Sequence, residues 1–168
     1  ACSALRNFII LLSVSMTDNV PGLNDALSMS LAEVAKALVV YGDDVETLER
    51  VTGALWALCG VRKSLALSFT TDCSILLIVT AMNRFPDSVD LNRHGIGLMG
   101  LFFSVSNNII EYVTDEVVSV IMRFIRQEID NDDAADLIDT SVDIILTMSN
   151  MGFKAVTTLL RYKLLLVE

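Results

Sequence analysis

An all-α chain built as a stack of three-helix modules is predicted by three observations. Apolar residues recur at helical spacing along nearly all of the 168 residues. That pattern itself repeats. Gly53 to Gly60 and Gly97 to Ser104 are apolar, glycine-punctuated stretches 44 residues apart, and the same interval backwards reaches Ile9 to Met16. Val34, Ile78 and Met122 fall in this register, as do Ala37, Ala81 and Ile125, then Tyr41, Phe85 and Ile129, and the polar trio Asp43, Asp87 and Asn131. A period in the low forties belongs to helical solenoids, whose units bury their apolar faces against the units before and after. The third observation is composition: 53% apolar residues and two prolines exclude a disordered chain and suit helices covered on both sides. The predicted α-solenoid has about three repeats of about 44 residues, at 17–60, 61–104 and 105–148, flanked by partial repeats.

The first helix is read over residues 4 to 16 from Leu5, Phe8, Ile9, Leu12 and Met16, and Thr17 to Gly22 breaks it. A second, about Ser28 to Tyr41, carries Leu31, Val34, Ala35, Leu38 and Val39 as one broad stripe and stops at Gly42. The third, about Val45 to Val61, turns Leu48, Val51, Leu55 and Leu58 to one side, and Asp44 and Glu46 suit its positive N-terminal end. The next unit runs through a short segment near Ser64 to Phe69, a helix from Asp72 to about Arg84, a break at Phe85 to Ser88, and a helix from about Leu91 to Val105. In the third unit Asn108 to Tyr112 is the short segment, Thr114 is the expected cap of a helix ending near Glu128, and Asp130 to Asp133 is a loop. The final long helix, about Ala134 to Ser149, fits the repeat if that loop has lost one residue, which aligns Ile138, Val142 and Ile145 with Val51, Leu55 and Leu58. A last helix, Ala155 to Leu166, closes the array or begins another unit.

Charge and residue types narrow the function. A formal charge of −9 with no cluster of Lys or Arg argues against nucleic acid as a partner and favours basic partners. Between Lys63 and Arg84 the only charge is Asp72, yet Ser68, Thr70, Thr71, Asp72 and Ser74 interrupt the run at its centre. Two buried helices are therefore expected there, not a membrane span. Phe8 to Val14 is too short to cross a bilayer. Cys2, Cys59 and Cys73 are odd in number and lack ligand spacing, so free thiols in a reducing, cytoplasmic or nucleocytoplasmic compartment are expected, with no metal or cofactor. His94 is the only histidine and is expected at a helix surface. Gly95-Ile96-Gly97 lacks the spacing of a dinucleotide loop, there is no phosphate-loop lysine, and no catalytic constellation emerges. The chain opens on Ala within a helical pattern, which is expected of a piece of a longer protein.

A short helix, a longer one and a third bearing Trp56-Ala57-Leu58-Cys59-Gly60, all within about 44 residues, resemble the armadillo repeat. The opening Ala1 to Phe8 also resembles the start of a third armadillo helix, and HEAT-like repeats are the alternative. The resemblance implies a right-handed superhelix whose concave face, formed by the third helices, holds an extended segment of another protein. In armadillo proteins of the importin-alpha type a Trp and, four residues later, an Asn grip a basic peptide. The Trp positions here hold Leu12, Trp56, Gly100 and Asp143, and the Asn positions hold Met16, Gly60, Ser104 and Thr147, so the ladder is largely replaced.

Candidate binding residues follow from both lines. Trp56 falls between Leu55 and Leu58 around its helix and faces either the groove or a neighbouring helix; exposed, it would be an anchor. Asp136, Asp139 and Asp143 share one helix face with Thr140, opposite Leu137, Ile138, Val142 and Ile145, and with Glu128, Asp130, Asp132 and Asp133 they make seven acids and no base between 128 and 143. That run suits a Lys- or Arg-rich peptide; calcium at Asp130, Asp132 and Asp133 is disfavoured, since the spacing, turn glycine and terminal Glu of an EF-hand loop are missing. Ser104 and Asn107 complete the expected peptide-binding set, and Glu49, Arg93, Lys63 and Asn107 fall at matching positions that border the groove or are ordinary surface. The expected function is a non-catalytic protein-binding scaffold. The alternative is a structural or homo-oligomerising domain that packs through uncapped ends at Leu5, Phe8, Leu12 and Leu159, Leu164, Leu165.

Overall fold

The computed structural model describes residues 29, 36–61, 66–67, 74–105 and 113–150. Among them every regular element is helical and there is no strand: α1 (Val45–Val61), α2 (Ser74–Arg84), α3 (Val89–Val105), α4 (Asp115–Glu128), a 3-10 turn (Asp132–Ala134) and α5 (Ala135–Asn150). Residues 36–40 are also helical. Val45 and Val89 open α1 and α3, and Arg84 and Glu128 close α2 and α4; each pair is separated by the same 44 residues. The expected helices at 4–16 and 155–166, and the end residues Leu5, Phe8, Leu12, Leu159, Leu164 and Leu165, lie outside the described residues.

The long helices form one row: α3 packs against α1 on one side and against α5 on the other. The shorter helices form a second row, α2 against α4, with α2 backing onto α3 and α4 onto α5. The core lies between the rows. It takes Leu48, Val51, Leu55 and Leu58 of α1, Ile75, Ile78 and Met82 of α2, Leu91, Ile96, Met99 and Phe102 of α3, and Val117, Ile121 and Phe124 of α4. The sets of α1, α2 and α4 recur at three- and four-residue spacing, as does α3 from Ile96 to Phe102, so hydrophobic burial and helical periodicity specify the same faces. No helix among the described residues is long and apolar enough to cross a membrane.

Polar side chains fix the turns. Asp44 begins α1, accepting the Thr47 hydroxyl at its carboxylate, which holds its pKa below the usual range, while its carbonyl accepts the Leu48 amide. Asn92, buried, donates to the carbonyls of Phe85, Pro86 and Ser88 at 3.2, 3.2 and 2.6 Å and so holds the α2–α3 turn. Arg84 pairs with Asp43 and donates to the Gly42 carbonyl, tying that turn to the preceding one.

The expectations need correction at four places. The helix read from Leu91 begins at Val89, because Ser88 is its cap: the Ser88 hydroxyl oxygen accepts the Leu91 amide at 3.2 Å. Thr114 precedes α4 in extended conformation without a side-chain cap bond; its carbonyl alone accepts the Val118 amide. The loop at Asp130 to Asp133 is partly a 3-10 turn, organised by Asn131, whose side-chain oxygen accepts the Asp133 amide. On α5 the buried residues are Ser141, Ile144 and Met148, whereas Val142 is 43% exposed and Ile138 and Ile145 are half-buried. Its buried face is thus turned from the expected one, Ser141 and Ile144 being buried one position ahead of Val142 and Ile145, with Ala134 buried just before the helix.

Candidate functional site

The site is set by how closely the long helices approach. Gly53 on α1 faces the His94 imidazole of α3, where an added methyl carbon would lie 2.9 Å from Cε1. Gly97 on α3 faces the Trp56 indole of α1 in the same way. Each helix therefore offers a glycine slot to a ring of the other, and the two rings meet at 5.7 Å between centroids, tilted by 51°. The His94 Nδ1 also lies 3.1 Å from the Glu49 carbonyl oxygen. His94 is thus an interface residue, contrary to the surface position expected of it.

At the next joint Gly100 of α3 receives Thr140 of α5. The Thr140 hydroxyl donates to the Asp136 carbonyl at 2.8 Å, which leaves the Cγ2 methyl to fill the space over Gly100. Between α1, α3 and α5 runs a groove of about 750 Å³. Trp56, Leu101, Phe103, Leu137 and Ile144 give it apolar surface, and Ser104, Thr147 and Asn150 give it neutral polar groups. Asp133, Asp136 and Asp143 are its charged residues; no Lys or Arg is among its described lining.

Nearby cations are committed elsewhere. Arg93 donates to Glu128 at 2.8 Å, and Asn131 donates to the same carboxylate oxygen at 2.9 Å. Arg123 donates to the Met82 carbonyl at 2.8 Å and to Asn83 at 3.0 Å; burial lowers its pKa and Asp87 opposes that shift. A smaller cleft of about 370 Å³ lies beside the α2–α3 turn, where Ser88 donates to Glu49 at 2.7 Å and Arg84 pairs with Asp43.

Of the six residues read from the sequence, Trp56, Ser104, Asp136 and Asp143 line the groove together. Trp56, read as facing either the groove or a neighbouring helix, is half-buried against α3 and is also among the groove's lining residues. Asp139 is exposed and off the groove, one helical turn away from the lining carboxylates. Asn107 and Lys63 lie outside the described residues. Glu49 and Arg93, expected to border the groove or to be ordinary surface, are half-buried in the hydrogen bonds already given. The sequence reading missed Gly97, Thr140 and Asn150 as lining residues; the recurrence of Gly53 at Gly97 was the available signal for the first.

Among the described residues, no group of three or more His, Cys, Asp or Glu is placed to hold a metal ion. Cys59 is a buried free thiol whose pKa burial pushes up to about 12. Compared with protein-family models, curated proteins and solved structures, the chain finds no match.

Proposed function

We propose that the groove between α1, α3 and α5 binds an extended, basic segment of another protein and that the chain is a non-catalytic scaffold, a right-handed superhelical array of the armadillo type. The observation that carries this reading is the lining itself: a half-buried Trp and apolar residues beside three carboxylates, with no described cation to neutralise them. Apolar surface gives binding energy to the stems of Lys and Arg, and the carboxylates select their charged ends. A peptide that lies along α3 and α5 also meets Ser104, Thr147 and Asn150, which suit main-chain hydrogen bonds.

Trp56 is the only tryptophan, so its emission reports occupancy directly. Titration with a Lys- and Arg-rich peptide should change that emission and saturate. Asp136→Asn with Asp143→Asn should raise the Kd about tenfold, equivalent to about 1.4 kcal/mol, while Asp139→Asn leaves it within about twofold. Equal affinity in the double variant and the wild type removes the reading. A second reading, a domain that packs through its end surface within a larger protein or a homo-oligomer, is favoured by the exposed Val142 on the last described helix, which lies off the groove. It requires mass in light scattering to rise with concentration.

A further inference from the structure

We infer that His94 is a proton-operated control on the groove: on gaining a proton it places a positive charge behind Trp56 and opposes the binding of a basic segment. The inference concerns regulation of the proposed site and rests on that reading. His94 is the only histidine of the chain, and histidine is the side chain whose ordinary pKa lies between pH 5 and 8. Its ring fills the slot at Gly53, where an added methyl carbon would meet Cε1, Nδ1 and Nε2 at 2.9, 3.1 and 3.3 Å. The Nδ1 lies 3.1 Å from the Glu49 carbonyl oxygen, which can only accept, so Nδ1 carries hydrogen and the added proton enters at Nε2. The charge then spreads over the ring, whose centre is 5.7 Å from that of the indole lining the groove.

On α3 itself Asp90 stands one turn before His94, and Arg93 donates to Glu128. From α1, Glu49 presents its carbonyl to the ring and turns its carboxylate to the Ser88 hydroxyl, while Glu46 pairs with Arg50. α2 contributes Arg84, paired with Asp43, and α5 contributes Asp136, Asp139 and Asp143. Asp136 and Asp143 line the same groove as Trp56, so their field attracts a bound lysine and the His94 proton alike. The two positive charges repel each other through the Trp56 ring, which screens less than water does. Linkage makes the effect reciprocal: acid weakens binding of the basic segment, and the bound segment lowers the pH at which His94 takes up its proton, by the same factor.

The test uses the full chain and a peptide of alternating alanine and lysine, with affinity read by calorimetry between pH 5 and 8 at constant ionic strength. The wild-type Kd should rise about fivefold from pH 8 to pH 5. In His94→Asn, which keeps a donor for the Glu49 carbonyl, the rise should stay within about twofold. By NMR, the titration midpoint of the wild-type His94 ring should fall by about 0.7 pH units when peptide saturates the groove, the same fivefold factor. That measurement needs no variant, so the result does not hang on how His94→Asn folds. A Kd equal at pH 5 and pH 8, a His94→Asn chain that keeps the wild-type pH dependence, or a midpoint that stays or rises with peptide overturns control by His94 and leaves the groove reading standing. If the peptide does not bind at pH 8, the groove reading falls and this inference with it.

Discussion

Gly97 decides how near α1 can come to α3, because the Trp56 indole occupies the space its side chain would need. Gly97→Ala should cost about 1–3 kcal/mol by forcing one ring or one helix to move, and the displaced Trp56 should shift its emission. Gly60, at the end of the same helix as Trp56, meets nothing within 4 Å, so Gly60→Ala should instead stabilise by about 0.5–1 kcal/mol through helix propensity alone. Opposite signs in thermal melts of these two variants check the packing account. The glycines were visible in the sequence as a recurring position, but their function was not. A repeat identifies equivalent residues, whereas the contact of Gly53 is with His94, which is not its equivalent. Trp56 was ambiguous for a related reason: a residue at the edge of an apolar stripe is placed by its neighbour's shape, and the neighbour here is a missing side chain.

At the scale of elements, Arg93 joins α3 to the end of α4 through Glu128, with the two side chains only 25% and 10% exposed. Removing one partner leaves a charge in poorly hydrated surroundings, so Glu128→Gln should destabilise by about 1–3 kcal/mol. The Arg93 Nε is already buried without a hydrogen-bond partner, and replacing both residues, Arg93→Met with Glu128→Leu, should recover most of the loss. Urea melts of the two singles and the double measure that coupling. The extent of α1 and α4, and the buried stripe of α1, were legible because long amphipathic runs leave little choice of face. The cap at Ser88 was hidden behind Pro86, which marks a break without saying where the next helix begins. The buried face of α5 was misread even with one residue taken out of the turn before it: Ser141 and Ile144 are buried one position ahead of the expected Val142 and Ile145, and one residue rotates every side chain by about 100°.

At the scale of the whole molecule, Asp133, Asp136 and Asp143 stand together at one groove, and they were legible within a run of seven carboxylates between 128 and 143. Which of them face inward was not, since Asp136, Asp139 and Asp143 look alike on a helical wheel and the position of α3 decides among them. Global stability should also depend on alkali through Cys59. Its pKa is raised from 9.0 to about 12, so the unfolded chain loses this proton first; stability is complete below pH 9 and falls as pH rises toward 12. Melting temperatures from pH 8 to 11 should decline more steeply for the wild type than for Cys59→Ala. The reciprocal seating of Trp56 and His94 has a mechanical consequence as well. Two keys pointing in opposite directions stop α1 and α3 from sliding lengthwise, as a dovetail does. The seam at Gly100 and Thr140 carries a single key of this kind, so lengthwise sliding is opposed there from one side alone.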